Sequence, residues 1–226
     1  AAGDVNGDGY ADVVAGAPGY SGGSSSEGQI VVFFGSAGGF GSAPDVSIEC
    51  NEAICALGSA VAGAGDVDGD GYADIIAGAW GRGAGGGAFL YRGGPSGTAT
   101  TASWEVTTPT GAADLFGWTA AGGMDVNGDG FDDVAVSAPY YDDGVTNQGA
   151  VFVYHGSAAG LSTAADWTWE GGVTSAQFAS ALADGGDMDG DGYDELLVGA
   201  SQYTAGETRE GVAMAFFGSA TGLDTA

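Results

Sequence analysis

The sequence predicts an all-β repeat protein, because one acidic nine-residue motif recurs along its 226 residues with strand-like runs between the copies. The copies span residues 4–12, 66–74, 125–133 and 187–195 and read DVNGDGYAD, DVDGDGYAD, DVNGDGFDD and DMDGDGYDE. Their first residues are 62, 59 and 62 apart. A unit of about 60 residues with four short strands has the size of a β-propeller blade. We therefore predict four four-stranded antiparallel blades and a ring that is incomplete in this chain.

The third repeat predicts its strands most clearly. Runs of Val, Phe, Tyr and Trp bounded by Gly, Ser and Asp place strands A to D at residues 115–122, 133–138, 149–155 and 166–170. The first repeat lacks strand A and the last lacks strand D. The predicted array covers 1–226, with blades at 1–49, 50–110, 111–170 and 171–226. We expect the open strand edges to pair with further chain, a second copy or another partner.

Composition narrows the function classes. The 47 glycines fit many tight turns. A formal charge of -27 argues against nucleic acid and against an anionic membrane surface. Cys50 and Cys55 lie five residues apart, which predicts a local disulfide and an oxidising, extracellular compartment. No signal peptide or long apolar run is present, so no membrane insertion is expected, and we interpret the chain as a mature fragment or excised domain.

Each motif places oxygen donors at positions 1, 3, 5 and 9, a pattern that suits a hard cation. Calcium is the predicted ion, about four in number and structural in role. The backbone carbonyl of position 7 would be a further ligand, with its ring packing inward. The predicted ligands are Asp4, Asn6, Asp8, Tyr10 and Asp12; Asp66, Asp68, Asp70, Tyr72 and Asp74; Asp125, Asn127, Asp129, Phe131 and Asp133; and Asp187, Asp189, Asp191, Tyr193 and Glu195.

Two alternatives to this site were weighed. An EF-hand shares the opening of the motif but needs Glu at position 12, where this chain has Ala15, Ala77, Val136 and Val198. Metal-free Asx turns would also use Asp, Asn and Gly. Four copies with acids at the same positions favour the cation, and we expect folding to be impaired without it because like charges crowd each loop.

The repeat resembles the FG-GAP repeat of integrin alpha-subunit propellers and of bacterial extracellular proteins. Phe116-Gly117 matches the FG element and Gly16-Ala17-Pro18 matches GAP, whereas Leu57-Gly58 and Gly78-Ala79-Trp80 depart from them. The resemblance implies calcium in the hairpin between the first two strands of a blade. It also implies a complete ring of about seven blades.

The remaining motifs predict no enzyme. Residues 19–23 spell G-x-S-x-G, but they lie in a Gly/Ser loop without a following helix, and the one histidine, His155, ends a strand. The B–C loops lie on the face opposite the acidic loops and are the expected partner-binding surface. Their candidate residues are Tyr20, Trp80, Arg82, Tyr140, Tyr141, Tyr203 and Arg209. Adhesion, protein–protein interaction or assembly is the predicted function; a lectin-like glycan-binding propeller or an accessory domain of a secreted enzyme is the alternative.

Overall fold

The computed structural model describes residues 1–108, 114–204 and 206–224, and all fourteen regular elements in them are β-strands. Blade 1 contains β1 (Val13–Ala17), β2 (Gln29–Phe33) and β3 (Val46–Glu49). Blade 2 contains β4 (Ala60–Gly65), β5 (Asp74–Ala79), β6 (Gly87–Tyr91) and β7 (Trp104–Thr107). Blade 3 contains β8 (Ala120–Met124), β9 (Asp133–Ala138), β10 (Ala150–Tyr154) and β11 (Trp167–Glu170). Blade 4 contains β12 (Ala181–Gly186), β13 (Glu195–Ala200) and β14 (Val212–Phe216).

Each blade is an antiparallel sheet whose strands pair in chain order. The all-β propeller prediction is confirmed. The ring is unclosed in the described residues, because apolar cores join blade 1 to 2, blade 2 to 3 and blade 3 to 4, and none joins blade 4 to blade 1. The predicted blade boundary at 110 to 111 lies outside the described residues. The other predicted boundaries fall between the observed strands and stay predictions. The described part of the chain holds no helix that could span a membrane.

The A strands begin later than the sequence predicted. The FG segment forms a turn before the strand, so β8 starts at Ala120 rather than at Leu115. Leu115 has a φ of 57° and Gly117 a φ of 84°, both in the left-handed region, which extended strands do not use. Each complete A strand then contains a bulge near its end, as at Gly122 to Met124 in β8. The bulge turns the chain into the acidic loop.

Apolar cores between neighbouring blades hold the arc together. Strand alternation gives each inner sheet two apolar faces, one for each neighbour. Ile30 and Val32 of blade 1 share a core with Ile75 of blade 2. The next core, between blades 2 and 3, includes an edge contact of Trp104 with Tyr154 at 5.0 Å between ring centres. The third core lies between blades 3 and 4 and includes Val151, Val153, Leu196, Val198 and Phe216.

Candidate metal centres

The four acidic motifs form the hairpin loops between strands A and B, and we name them loop 1 (4–12), loop 2 (66–74), loop 3 (125–133) and loop 4 (187–195). In loop 1 the A strand is reduced to a bridge between Gly3 and Asp12. Antiparallel order puts these loops and the C–D turns at one end of the blades, which we call the metal face. The B–C loops and the D–A connections lie at the opposite end, which we call the B–C face.

The position-1 carboxylate organises each loop. In loop 3, Asp125 Oδ1 accepts the N–H groups of Gly128 and Asp129 at 2.7 and 3.1 Å, and Asp125 Oδ2 accepts that of Gly130 at 2.9 Å. Asp4 and Asp187 accept the same set of three bonds in loops 1 and 4. These bonds curl the backbone around one side chain, so the side chains of positions 3 and 5 turn toward position 1.

Positions 1, 3 and 5 converge. One carboxylate oxygen from each of Asp66, Asp68 and Asp70 lies within 4.8 Å of the others, and the same holds for Asp187, Asp189 and Asp191. Loops 1 and 3 carry an amide at position 3 instead: Asn6 Nδ2 donates to Asp8 Oδ2 at 3.3 Å, and Asn127 Nδ2 donates to Asp129 Oδ2 at 3.1 Å. Loops 2 and 4 therefore gather carboxylate oxygens at one point, and in loops 1 and 3 the position-3 amide faces the position-5 carboxylate.

The position-9 side chain is buried beneath each loop. Asp133 Oδ2 accepts the N–H of Val126 at 3.0 Å, and Asp133 Oδ1 accepts that of Gly156 at 2.8 Å. Asp12 and Asp74 make the equivalent pair of bonds. Each oxygen retains a lone pair beyond these bonds, so this carboxylate joins strands B and C to the loop while it can still face a cation. Its ligation of calcium stays a prediction.

Burial has an electrostatic consequence at position 9. Burial is the largest cause that raises the pKa of Asp74 and of Asp133 to about 7, and the other carboxylates of each loop add to the rise. The backbone N–H groups that these side chains accept act in the opposite direction. A cation among the loop carboxylates would also favour the ionised form.

Loop 4 departs from this arrangement because Glu195 stands at position 9. Glu195 Oε2 accepts the N–H of Met188 at 2.5 Å, but Oε1 is buried with no hydrogen-bond partner. A buried carboxylate oxygen without a partner is costly. A cation at loop 4 would supply the missing partner.

Loop 2 contains a contact that the sequence analysis did not predict. Arg92, directly after β6, places Nη1 2.7 Å from Asp68 Oδ2. Its Nη2 also donates to the carbonyl of Ala159 in the C–D turn of blade 3, at 3.2 Å. Phe34, His155 and Phe217 stand at this register in the other repeats. The sequence feature that could have indicated this ion pair is the scarcity of basic residues, of which the chain has three.

Neighbouring loops touch each other around the arc. The prediction that the position-7 rings pack inward is wrong: a Cβ placed on Gly7 would lie 2.6 Å from Tyr72 Cε1, so the Tyr72 ring covers the preceding loop. Phe131 covers Gly69 and Tyr193 covers Gly128 in the same way. The ring of Tyr10 in loop 1 is 45% exposed. The position-7 ring packs between blades because the glycine at position 4 of the preceding loop has no side chain to fill that space.

Position 8 supplies a second link between loops that the sequence analysis missed. Asp132 Oδ2 accepts the N–H of Asp66 at 2.6 Å, and Asp194 Oδ2 accepts that of Asp125 at 2.9 Å. Burial is the largest cause raising the pKa of Asp132, and nearby carboxylates including Asp125 and Asp66 add to it. These aspartates bring further negative charge to loops 2 and 3.

The donor chemistry of the loops fits calcium. The converging side chains offer carboxylate and amide oxygens and no sulfur or imidazole, which is the ligand class of hard cations. The unpartnered Oε1 of Glu195 points to the same requirement. Residues at positions 1, 3, 5 and 9 would hold the ion. The ion would supply positive charge and fix the hairpin, and no reaction would be involved.

The predicted partner residues on the B–C face occupy different environments. Tyr20 is 37% exposed, and Glu49 raises its pKa by its charge and by a side-chain hydrogen bond. Arg82 pairs with Glu52 and Glu105, each at 3.0 Å, and lies over the Phe89 ring. Tyr140 is half-buried, and Arg209 is exposed in its loop.

Two predicted partner residues serve the cores instead. Tyr141 is buried and meets Phe152 edge-on at 5.5 Å between ring centres, and Tyr203 packs against the core between blades 3 and 4. Trp80 does contribute to the surface, where it meets Trp118 at 6.5 Å with the rings tilted by 49°. Trp118 is 42% exposed and was missed, because it replaces the Ser59 and Ser180 of neighbouring repeats inside a predicted strand. The predicted disulfide between Cys50 and Cys55 is confirmed.

Comparison with known proteins identifies the repeat. A family model for the FG-GAP repeat matches residues 1–33, 116–154 and 178–213. Integrin alpha-7 of Rattus norvegicus is 37% identical over 152 residues, which is 62% of this chain and 12% of that protein. Integrin alpha-7 of Homo sapiens is 34% identical over 174 residues, 72% of this chain and 14% of that protein. Integrin alpha-4 of Xenopus laevis is 32% identical over 155 residues, 64% of this chain and 14% of that protein.

The chain therefore spans only a small part of these relatives' length. The family-model matches include loops 1, 3 and 4, and loop 2 lies outside them. These four sheets are an incomplete FG-GAP β-propeller, and the chain is an FG-GAP repeat protein similar to the integrin alpha subunits.

Proposed function

We propose that this chain is a non-catalytic, extracellular propeller segment that uses calcium as a structural brace and binds protein partners through its B–C face. The observation that carries the proposal is the convergence of the acidic side chains in the loops, with oxygen atoms of Asp187, Asp189 and Asp191 within 4.8 Å of one another. Without a cation these like charges oppose the fold, so a divalent ion would stabilise every blade that carries such a loop.

The extracellular part of the proposal rests on the disulfide and on similarity. Cys50 and Cys55 are joined in the connection from blade 1 to blade 2, and disulfides persist in oxidising compartments. Similarity to integrin alpha subunits supports adhesion or assembly as the setting. Aromatic and Arg side chains are typical of protein interfaces, and Tyr20, Trp118 and Arg209 are each exposed on the B–C face of a different blade.

A protein partner is favoured over a glycan by the geometry of the exposed rings. A sugar-binding platform presents rings flat to the ligand. The planes of the Trp80 and Trp118 rings are inclined to each other by 49°, so the two rings do not form one flat surface. The absence of an enzymatic role is also part of the proposal. Ser21 of the G-x-S-x-G segment accepts the Ser26 N–H at 2.8 Å on the B–C face, while His155 ends its strand toward the metal face.

Thermal unfolding in calcium, magnesium and chelator tests the structural role. When free calcium is at about 100 times the Kd of a site, its binding adds about 2.7 kcal/mol to the free energy of unfolding. We therefore expect the Tm in calcium to lie many degrees above the Tm in chelator, and the rise in magnesium to be much smaller. Asp129→Asn should reduce the calcium effect, and Asp143→Asn, an exposed acid outside the loops, should not. Equal melting curves in calcium and chelator would reject the brace.

Binding to immobilised extracellular matrix proteins, with a glycan array in parallel, tests the partner class. We expect saturable binding to at least one matrix protein and none to glycans. A glycan hit without any protein hit would favour the lectin alternative and would contradict the proposed partner class.

A further inference from the structure

We propose that the four acidic loops differ in their need for a bound cation: Arg92 holds loop 2 in shape without one, whereas loop 4 depends on one. The inference rests on the calcium role proposed above and concerns how that role is distributed along the arc. It follows from what each loop places next to its position-3 side chain.

Loops 1 and 3 contain an internal N–H donor at this point. The amides of Asn6 and Asn127 carry no charge, and their Nδ2 groups donate to Asp8 and Asp129 at 3.3 and 3.1 Å. Each amide therefore removes one negative charge from its loop and gives the position-5 carboxylate a partner. Both effects reduce the repulsion that a cation would otherwise have to offset.

Loop 2 has Asp68 in place of the amide, so its positions 1, 3, 5 and 9 are all acidic, as they are in loop 4. Its own four acids are joined by Asp132 of blade 3, whose Oδ2 lies 2.6 Å from the N–H of Asp66. Arg92 partly neutralises this charge through its 2.7 Å ion pair with Asp68, whose side chain is only 5% exposed. Solvent screens a pair of this kind less than an exposed one. The bond from Arg92 to Ala159 fixes the guanidinium against blade 3.

Loop 4 has neither an amide at position 3 nor an arginine beside that position. Asp189 stands at position 3, so no side-chain amide is available, and Phe217 occupies the register of Arg92 with 44% of its surface exposed. Within residues 1–108, 114–204 and 206–224, no ion pair reaches a loop-4 carboxylate. Glu195 Oε1 is also buried without a partner. A bound cation would neutralise this cluster and give Glu195 Oε1 a partner.

Hydrogen exchange of the intact chain, followed by mass spectrometry in calcium and in chelator, measures each loop separately. We expect chelation to speed exchange in 187–195 by about tenfold or more, and exchange in 66–74 by much less. Equal acceleration in the two segments would overturn the proposal.

Substitutions that copy residues already present in the chain isolate Arg92. R92F installs the Phe34 and Phe217 residue type, D68N installs the Asn6 and Asn127 type, and the double variant reproduces the pair found in loop 1. In chelator we expect R92F to speed exchange in 66–74 by about tenfold and the added D68N to reverse most of that change. An R92F effect that persists in the double variant would mean that Arg92 acts through Ala159, and the proposal would fail.

The reciprocal variant F217R gives loop 4 the guanidinium that it lacks. We expect it to slow exchange in 187–195 in chelator and to shrink the difference between calcium and chelator there. No change in that segment would count against the proposal. Since the Arg92 comparison is made in chelator, it is read independently of calcium binding. If calcium alters exchange in no loop, the structural calcium role fails, whatever R92F shows.

Discussion

The two faces of this propeller segment are built on different rules. On the metal face the repeats use the same bonds: position 1 curls the loop, and an aspartate at position 9 ties it to strands B and C in loops 1 to 3. On the B–C face a backbone turn also recurs, in which the N–H of Tyr20, Arg82, Tyr141 or Tyr203 donates to the carbonyl of the alanine that ends strand B, but the side-chain contacts of the loops vary. Glu27 accepts the N–H groups of Gly22 and Gly23, whereas Gln148 bonds to Glu170.

The comparison separates scaffold from variation. A bond that recurs in each blade fixes the angle and spacing between blades, so its loss affects the whole arc. A loop whose side-chain contacts lie within its own blade tolerates substitution without altering the neighbouring blades. The metal face should therefore respond to substitution through stability, and the B–C face through binding.

The largest expected effect on stability is that of Asp133→Ala on the metal face. The change strips the buried N–H groups of Val126 and Gly156 of their acceptor, at about 1–3 kcal/mol for each group. We expect a loss of about 3 kcal/mol or more in urea unfolding, measured in chelator so that calcium makes no contribution. Asp143→Ala is the exposed control, expected within about 0.5 kcal/mol of the parent. A loss below about 1 kcal/mol for Asp133→Ala would show that position 9 is not a scaffold residue.

The next effect tests the spacing between blades. A Cβ on Gly78 would lie 2.0 Å from the carbonyl oxygen of Gly117 in the next blade, and the backbone must move to accept it. We expect Gly78→Ala to cost about 2–3 kcal/mol. Gly19→Ala serves as the control, because nothing lies within 4 Å of a Cβ there. Equal unfolding free energies for the two variants would mean that the close approach does not set the spacing.

The repeats made the metal face predictable from sequence. Periodicity placed β5, β9 and β13 with their observed bounds and identified the loops, because each residue type recurs where its contacts recur. The late start of β8 was not predictable from apolar pattern, since the positive φ of Leu115 depends on tertiary packing. The Arg92 pair to Asp68 was also missed, because it joins residues 24 positions apart and occurs in a single blade.

The B–C face was harder to predict for the same reason. Tyr141 and Tyr20 have the same residue type in the same kind of loop, yet the first is buried in a core and the second is exposed. Trp118 lies within a predicted strand whose pattern suggested a small, buried residue, and the structure exposes it. Even where the backbone turn recurs, residue type alone does not decide whether a side chain in the loop faces the core or the solvent.

A single covalent crosslink adds to the recurring backbone turns of the B–C face. The disulfide of Cys50 and Cys55 closes a short loop, and loop-closure entropy for such a loop gives about 2 kcal/mol. We expect the double variant C50A/C55A to lose about that much in urea unfolding. Its calcium-dependent rise in Tm should remain, because the acidic loops lie at the other end of the blades. Loss of the calcium effect in this variant would show that the two faces are coupled.

The smallest effect on stability, and the largest on binding, is expected for Trp118→Ala. The ring is 42% exposed and its one aromatic neighbour, Trp80, lies at 6.5 Å. An aromatic pair of this kind contributes about 0.5–1.5 kcal/mol beyond its buried area. The partly buried ring adds a burial contribution, so the total loss should be about 1–2 kcal/mol. Binding to a matrix protein should fall by about tenfold or more, as for an exposed aromatic anchor in an interface.

Phe40 provides the matched control for this substitution. It is 54% exposed, but it lies in the C–D connection of blade 1, on the metal face. Phe40→Ala removes a comparable exposed ring from the face that we assign to scaffold, so we expect binding to stay within about twofold of the parent. If both variants weaken binding equally, the partner surface extends over both ends of the blades. If Phe40→Ala alone weakens it, the assignment of the two faces is reversed.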